Sequence, residues 1–141
     1  MTDRNAFQDI AETICSLDDW EDRYRYLIEL GQALPKLTAD EKMPENKVIG
    51  CVAQVWLIAE TITRDGHVRL KYRGESDAMI VQGLVAMLLA LYSDRPVGEI
   101  AETDAVAMFD QIGLRAHLTT QRSNGLVAMA NQIRGDARAL L

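Results

Sequence analysis

The stretch QVWLIAETITRDGHVRLKYR, residues 54–73, decides the fold. In its second half the apolar residues Val68, Leu70 and Tyr72 alternate with the charged Arg69, Lys71 and Arg73. A period of two belongs to a strand with one face on a core and one in water. Residues Gln54 to Thr63 read as a strand buried on at least one face. Between them stands Arg64-Asp65-Gly66-His67, whose Asp-Gly pair suits a two-residue hairpin turn. Val48 and Ile49 are expected to supply a short third strand.

Outward from the hairpin the period becomes helical. Upstream, Phe7, Ile10, Ala11 and Ile14 predict a helix over 3–15 that Thr2 would cap. Trp20, Tyr24, Leu27, Leu30 and Leu34 predict a second over about 19–33, ended by Pro35. Residues 35–47, with two prolines and several charges, read as a loop. Downstream, Ser76 is expected to cap a mostly apolar helix through about Tyr92, and Pro96 to open a short one. Thr103 or Asp104 starts another that stops at Gly113, and Thr119 or Thr120 caps the last. Its stripe is Leu126, Met129, Ala130, Ile133, Ala137 and Leu140. Helices, a small three-stranded antiparallel sheet, then more helices: the class is α+β.

The chain has 141 residues, 48% apolar and 26% charged, which suits one domain over 1–141. Net charge is −6, and it is uneven: residues 1–45 hold 11 acids and 5 bases, whereas the remainder holds ten of each. Bulk attraction to nucleic acid is not expected. An acidic front suits a docking surface, although a merely soluble surface would look the same. The longest apolar run, Met79 to Tyr92, contains Gln82 and Gly83 and is too short to cross a bilayer, so no membrane partner is expected. No secretory signal follows Met1, and two cysteines are too few for a disulfide framework. Both readings favour a reducing cytoplasm.

Few residues offer chemistry. Cys15, Cys51, His67 and His117 lack any metal-ligand spacing, so no metal is expected. Asp18/Asp19 and Asp40/Glu41 read as solvated or capping acids, and phosphate-binding loops are absent. The charges Arg69, Lys71 and Arg73 fit an ordinary wet sheet face, and both histidines fit surface or capping roles. Cys15, beside Ile14, reads as a small structural hydrophobe. Cys51 follows Gly50 where a charged loop meets a strand. There a thiol can be presented to a partner, but the residues alone leave a buried structural thiol equally open.

Residues 46–56, NKVIGCVAQVW, resemble the SufE/CsdE family of sulfur-acceptor proteins. So do Tyr24 to Gly31 with Leu34-Pro35, then Ser76-Asp77-Ala78 with Ile80-Val81 and Gly83-Leu84. Gly113-Leu114, His117-Leu118, Arg122, Gly125-Leu126 and Ala128-Met129 extend the likeness almost to the end. The resemblance implies an α+β fold similar to that of iron–sulfur scaffold proteins. It also implies a sulfur carrier that takes persulfide sulfur from a cysteine desulfurase, stimulates that enzyme, and passes the sulfur to iron–sulfur cluster assembly. The acceptor cysteine falls on Cys51. The family commonly has Gln and Ser after it, where this chain has Val52 and Ala53. No cofactor is implied here, because the pyridoxal phosphate belongs to the desulfurase, and the carrier is not an enzyme in its own right.

From the same likeness, the desulfurase is expected to engage Gly50, Val52 and Ala53 in the cysteine loop, with Glu75 and Asp77 near its mouth. Cys51 is expected to sit in an apolar pocket beneath its loop. Competing readings are a desulfurase-binding activator that transfers nothing and an independent thiol enzyme, which needs a base near Cys51. Whether the chain forms a homodimer is not fixed by its sequence.

Overall fold

A computed structural model describes residues 6–141. Among them, helices α1 (Ala6–Ser16) and α2 (Trp20–Gln32) precede an antiparallel hairpin of β1 (Val55–Arg64) and β2 (His67–Ser76). Helix α3 (Met79–Tyr92) follows, then β3 (Arg95–Pro96), α4 (Val97–Glu102), α5 (Ala105–Gln111) and α6 (Thr120–Arg138). The predicted Thr2 cap lies outside the described residues.

The hairpin forms as its sequence predicts. Asp65 and Gly66 take φ of 53° and 78°, and Arg64 faces His67 across the turn. Two positive φ angles match the right-handed twist of the flanking strands, and glycine takes one without a Cβ penalty. Leu70 and Tyr72 bury on the inner face, as do Val55 and Leu57 opposite. Lys71 and Arg73 stay in water. Beyond Ile58 most of β1 is exposed, so the turn end of the hairpin projects past the core.

The sheet order is β1-β2-β3, and its third strand is not the one expected from sequence. Arg95 and Pro96 pair with Leu70 and Arg69 on the far side of β2. Val48 donates one backbone hydrogen bond to Val55 at 2.8 Å, and Lys47 makes an isolated bridge with Trp56. Gly50, at φ 101°, then turns the chain away, and Ile49 stands in solvent. Pairing stops there.

Helix α3 is the centre of the core. Ten of its fourteen residues are buried, spread around the whole helix, and it packs against α1, α2, α6 and β2. Each fully buried Leu or Met contributes about 1.5–3 kcal/mol over leaving it exposed. Ser76 does not cap this helix. It is the last residue of β2, paired with Val55, and its Oγ accepts from the Ala78 N–H in the turn before Met79. Extended pairing with β1 outcompetes an earlier helix start. Asp19, Asp104 and Thr119 do cap α2, α5 and α6. The stripe of α6 buries from Leu126 to Ala137, whereas Leu140 lies beyond the helix and is exposed.

The loop over 35–47 is tied to the outer hairpin. Leu37 N–H donates to Glu75 Oε1 at 2.8 Å, and Lys42 Nζ lies 2.5 Å from Glu75 Oε2. Arg73 donates to both oxygens of Glu41; this guanidinium, with the Thr38 backbone N–H, pulls the Glu41 carboxyl down to about 2. The hairpin arginine is therefore occupied within the chain.

Candidate functional site

Cys51 sits between the isolated bridge and the first residue of β1, on a loop held at both ends. At its start is the Val48–Val55 hydrogen bond. At its end Asp77 holds Gln54 twice. Gln54 N–H donates to Asp77 Oδ1 at 3.1 Å, and Asp77 N–H donates to the Gln54 carbonyl at 3.2 Å. The loop lies close against α6, since a Cβ on Gly50 would come 3.2 Å from the Ala128 methyl.

The thiol points inward, with its Sγ 3.5 Å from the Gly125 carbonyl oxygen of α6, to which it donates. Cys51 is half-buried, and that burial pushes the thiol up from its ordinary value. Loss of hydration disfavours the charged form of an acid, so Cys51 is held as a neutral thiol at neutral pH. Beside it opens a cavity of about 440 Å³, lined by the cysteine loop, the start of α3 and the start of α6.

The lining is mixed, not wholly apolar as expected. Val52, Ala53, Ala78 and Val81 supply apolar surface, whereas Asp77, Thr119, Gln121 and Arg122 supply polar groups. The polar residues come from helix starts, where caps place them. Val52 is 73% exposed, so it forms part of the rim and does not cover the sulfur. Ile49 and Met79 are likewise exposed at 91% and 65%.

Of the residues singled out from sequence, Cys51, Val52, Ala53 and Asp77 line this one cavity. Gly50 stands in the same loop. Glu75 does not join them. It lines a separate groove of about 310 Å³ with Gly31, Lys36 and Gln82, and Asp77 borders both. Glu75, still within β2, turns towards Lys42 and Leu37, whereas Asp77 lies just past the end of the strand and faces Gln54. Cys15 also departs from expectation: it is exposed. Phe7, Ile10 and Ile14 bury, and one further residue rotates the side chain about 100° off that stripe.

Neither histidine reaches the cavity lining. His67 is at the exposed hairpin turn, and the His117 ring stacks on Trp20 with centroids 3.6 Å apart. No imidazole base serves Cys51. No group of three or more His, Cys, Asp or Glu among the described residues is placed to hold a metal ion. None of the described helices is long and apolar enough to cross a membrane.

Sequence reasoning missed Ala78, Val81, Thr119, Gln121, Arg122 and Gly125 as parts of the site. The available signal was Gly125 itself, a glycine inside a helical pattern, which usually has a packing or functional reason.

Comparison with known proteins identifies the family of this chain. Residues 8–137 match the family described as SufE: Fe-S metabolism associated domain. An uncharacterized SufE-like protein of Rhizobium etli is 50% identical over 133 residues, covering 94% of this chain and 90% of its own length. One from Rhizobium meliloti is 44% identical over 136 residues, covering 96% and 97%. The solution structure of a hypothetical protein from Thermus thermophilus superposes with a TM-score of 0.71 at 21% identity, over 94% of this chain and 93% of that one. That last likeness is one of fold. Family match and relatives together place this chain in the SufE family, whose domain is associated with iron–sulfur metabolism.

Proposed function

We propose that the chain, as one SufE-like domain, is a sulfur carrier that receives a sulfane sulfur on Cys51 from a cysteine desulfurase and delivers it to iron–sulfur cluster assembly. The observation that carries the reading is Cys51 itself, held half-buried at a cavity mouth by a loop tied down through Asp77. An exposed persulfide would be lost to oxidants and stray thiols, and a sheltered one would not.

The transfer is thiol exchange at sulfur. Cys51 gives its proton to solvent, and its thiolate attacks the terminal sulfur of the partner's persulfide. One S–S bond forms on Cys51, the S–S bond of the partner breaks, and the partner's thiolate leaves. Attacker and leaving group are both thiolates, so no residue of this chain need act as acid or base. Docking supplies the rate by bringing two sulfurs together. Raising the Cys51 thiol through burial keeps it quiet until docking moves it. The pyridoxal phosphate that generates the persulfide belongs to the desulfurase, and this chain is its co-substrate and activator. Gly50, Val52, Ala53 and Asp77 form the contact at the mouth, with Glu75 in the neighbouring groove.

Mass spectrometry after incubation with a desulfurase and cysteine tests the reading. Added sulfur on the Cys51 peptide is the expected result. Full stimulation of the desulfurase by Cys51→Ser would instead identify an activator that transfers nothing.

A further inference from the structure

Helix α6 carries a buried glycine at a place where helix formation disfavours one. A mid-helix glycine loses more backbone entropy on folding than alanine and gives nothing back in packing. Two of the other helical glycines have visible reasons. A Cβ at Gly83 would fall 2.3 Å from the Leu27 carbonyl oxygen, and one at Gly31 would fall 2.7 Å from Gln82 Cγ. Those two allow α2 and α3 to approach. A Cβ at Gly98 in α4 or at Gly135 would meet nothing within 4 Å, and neither of those residues is buried.

Gly125 fits neither case. A Cβ there would meet only Cys51, at 3.5 Å from Sγ and 3.9 Å from Cβ. Both are ordinary contacts, so an alanine methyl fits beside the thiol and would strengthen the helix. The space it would fill is nevertheless empty, and Cys51 is the one neighbour that gains from this.

We propose that the missing Cβ of Gly125 is a berth for the second sulfur of a Cys51 persulfide, which makes Gly125 a positioning residue for the cargo. The inference rests on the carrier reading above. A persulfide extends the side chain by one S–S bond of about 2.05 Å. Swung from Sγ towards α6, the outer sulfur would come well inside contact distance of an alanine methyl. Against glycine it has the added room of one absent methyl, to one side of the direct line to the Cα. Denied the berth, it must turn towards the open side of the cavity, where a small thiol R–SH reaches it. The loss is then Cys51–S–SH + R–SH → Cys51–SH + R–S–SH, in which one S–S bond breaks and one forms while the hydrogens balance.

The test compares Gly125→Ala with its parent, both carrying Cys15→Ser so that only Cys51 reports. Each is loaded in two ways, with sodium tetrasulfide and with a desulfurase plus cysteine, then freed of excess reagent. Loss of the added sulfur in glutathione is followed by mass spectrometry. Gly125→Ala is expected to lose its sulfur several-fold faster. Its unmodified Cys51 should react with iodoacetamide at the parental rate, and its melting temperature should match or exceed the parent's. Equal persulfide lifetimes would overturn the berth, and so would an equal acceleration of thiol alkylation, which would mean that Gly125 seats the whole loop. Loading by tetrasulfide without loading by the desulfurase counts against the carrier reading, and the tetrasulfide arm then still judges the berth. A parent that neither reagent loads sinks both.

Discussion

The two cysteines share a residue type and an apolar neighbour in sequence, yet their surroundings differ in every other respect. Cys15 lies on the solvent side of α1, one position past the buried Ile14. Cys51 is half-buried, aimed at the Gly125 carbonyl and opening onto a cavity shared by three segments far apart in the chain. The contrast teaches that a thiol's chemistry here is set by tertiary neighbours, above all α6, which lies 74 residues downstream at the contact. Local pattern alone makes Cys15 a sheltered residue and leaves the setting of Cys51 open.

The largest expected effect is the one that separates the pair outright. Cys51→Ser should accept no sulfur on its peptide, whereas Cys15→Ser should accept as much as the parent by mass spectrometry. Because Cys15 is exposed, its replacement should change stability by no more than about 0.5 kcal/mol in thermal or denaturant melts. Sulfur transfer that depends on Cys15 in a folded variant would break the comparison.

A second effect concerns how firmly Cys51 is kept apart from solvent. In the native protein iodoacetamide should label Cys15 well before Cys51, as read by peptide mapping over time. Asp77→Ala removes the carboxylate that accepts the Gln54 N–H and so loosens the end of the loop. One exposed hydrogen bond contributes about 1 kcal/mol, so loop opening, and with it Cys51 labelling, should rise by roughly fivefold. Asp77→Arg should in addition change desulfurase affinity in a titration, since it reverses a charge at the cavity mouth. An unaltered labelling rate and titration would show that Asp77 neither holds the loop nor meets the partner.

Much of the fold was legible because local signals and long-range packing agree. Asp65-Gly66 specifies its turn without help from elsewhere, and the apolar run of α3 has no soluble alternative to burial. Legibility failed where partners distant in the chain decide. Arg95–Pro96 is two residues long and becomes a strand only because β2 offers an edge to it. Ser76 looks like a helix cap until its pairing with Val55 is known. At the site, Cys51 and Asp77 were readable as candidates. Gly125 was visible in sequence as an interruption of a helix pattern, but its meaning depends on the sulfur above it. Glu75 illustrates the reverse error: closeness in sequence to Asp77 did not place it in the same cavity, because Glu75 is still within β2 and is held by Lys42 and Leu37, whereas Asp77 lies past the end of the strand and holds Gln54.

The smallest expected effect is a difference in alkaline stability between the two cysteines. Burial raises the Cys51 thiol in the folded protein above its unfolded value. The neutral thiol is thus the form that folding tolerates. Its contribution is fully present below the unfolded value of about 8.5 and is lost as pH rises through the higher folded value. Tyr72 and Tyr92 are shifted upward as well, chiefly by burial, but an ordinary phenol titrates near 10, so their influence begins later. Between roughly pH 8.5 and 10 the slope therefore reports mainly on Cys51 among these buried groups. Melting temperatures of the parent and of Cys15→Ser should fall in this window more steeply than that of Cys51→Ser, whose hydroxyl does not ionise there. Rates of Cys51 alkylation in the parent should rise over the same interval. Parallel melting curves for Cys51→Ser and the parent would show that the pocket does not hold the thiol neutral, and the contrast between the two cysteines would then rest on access alone.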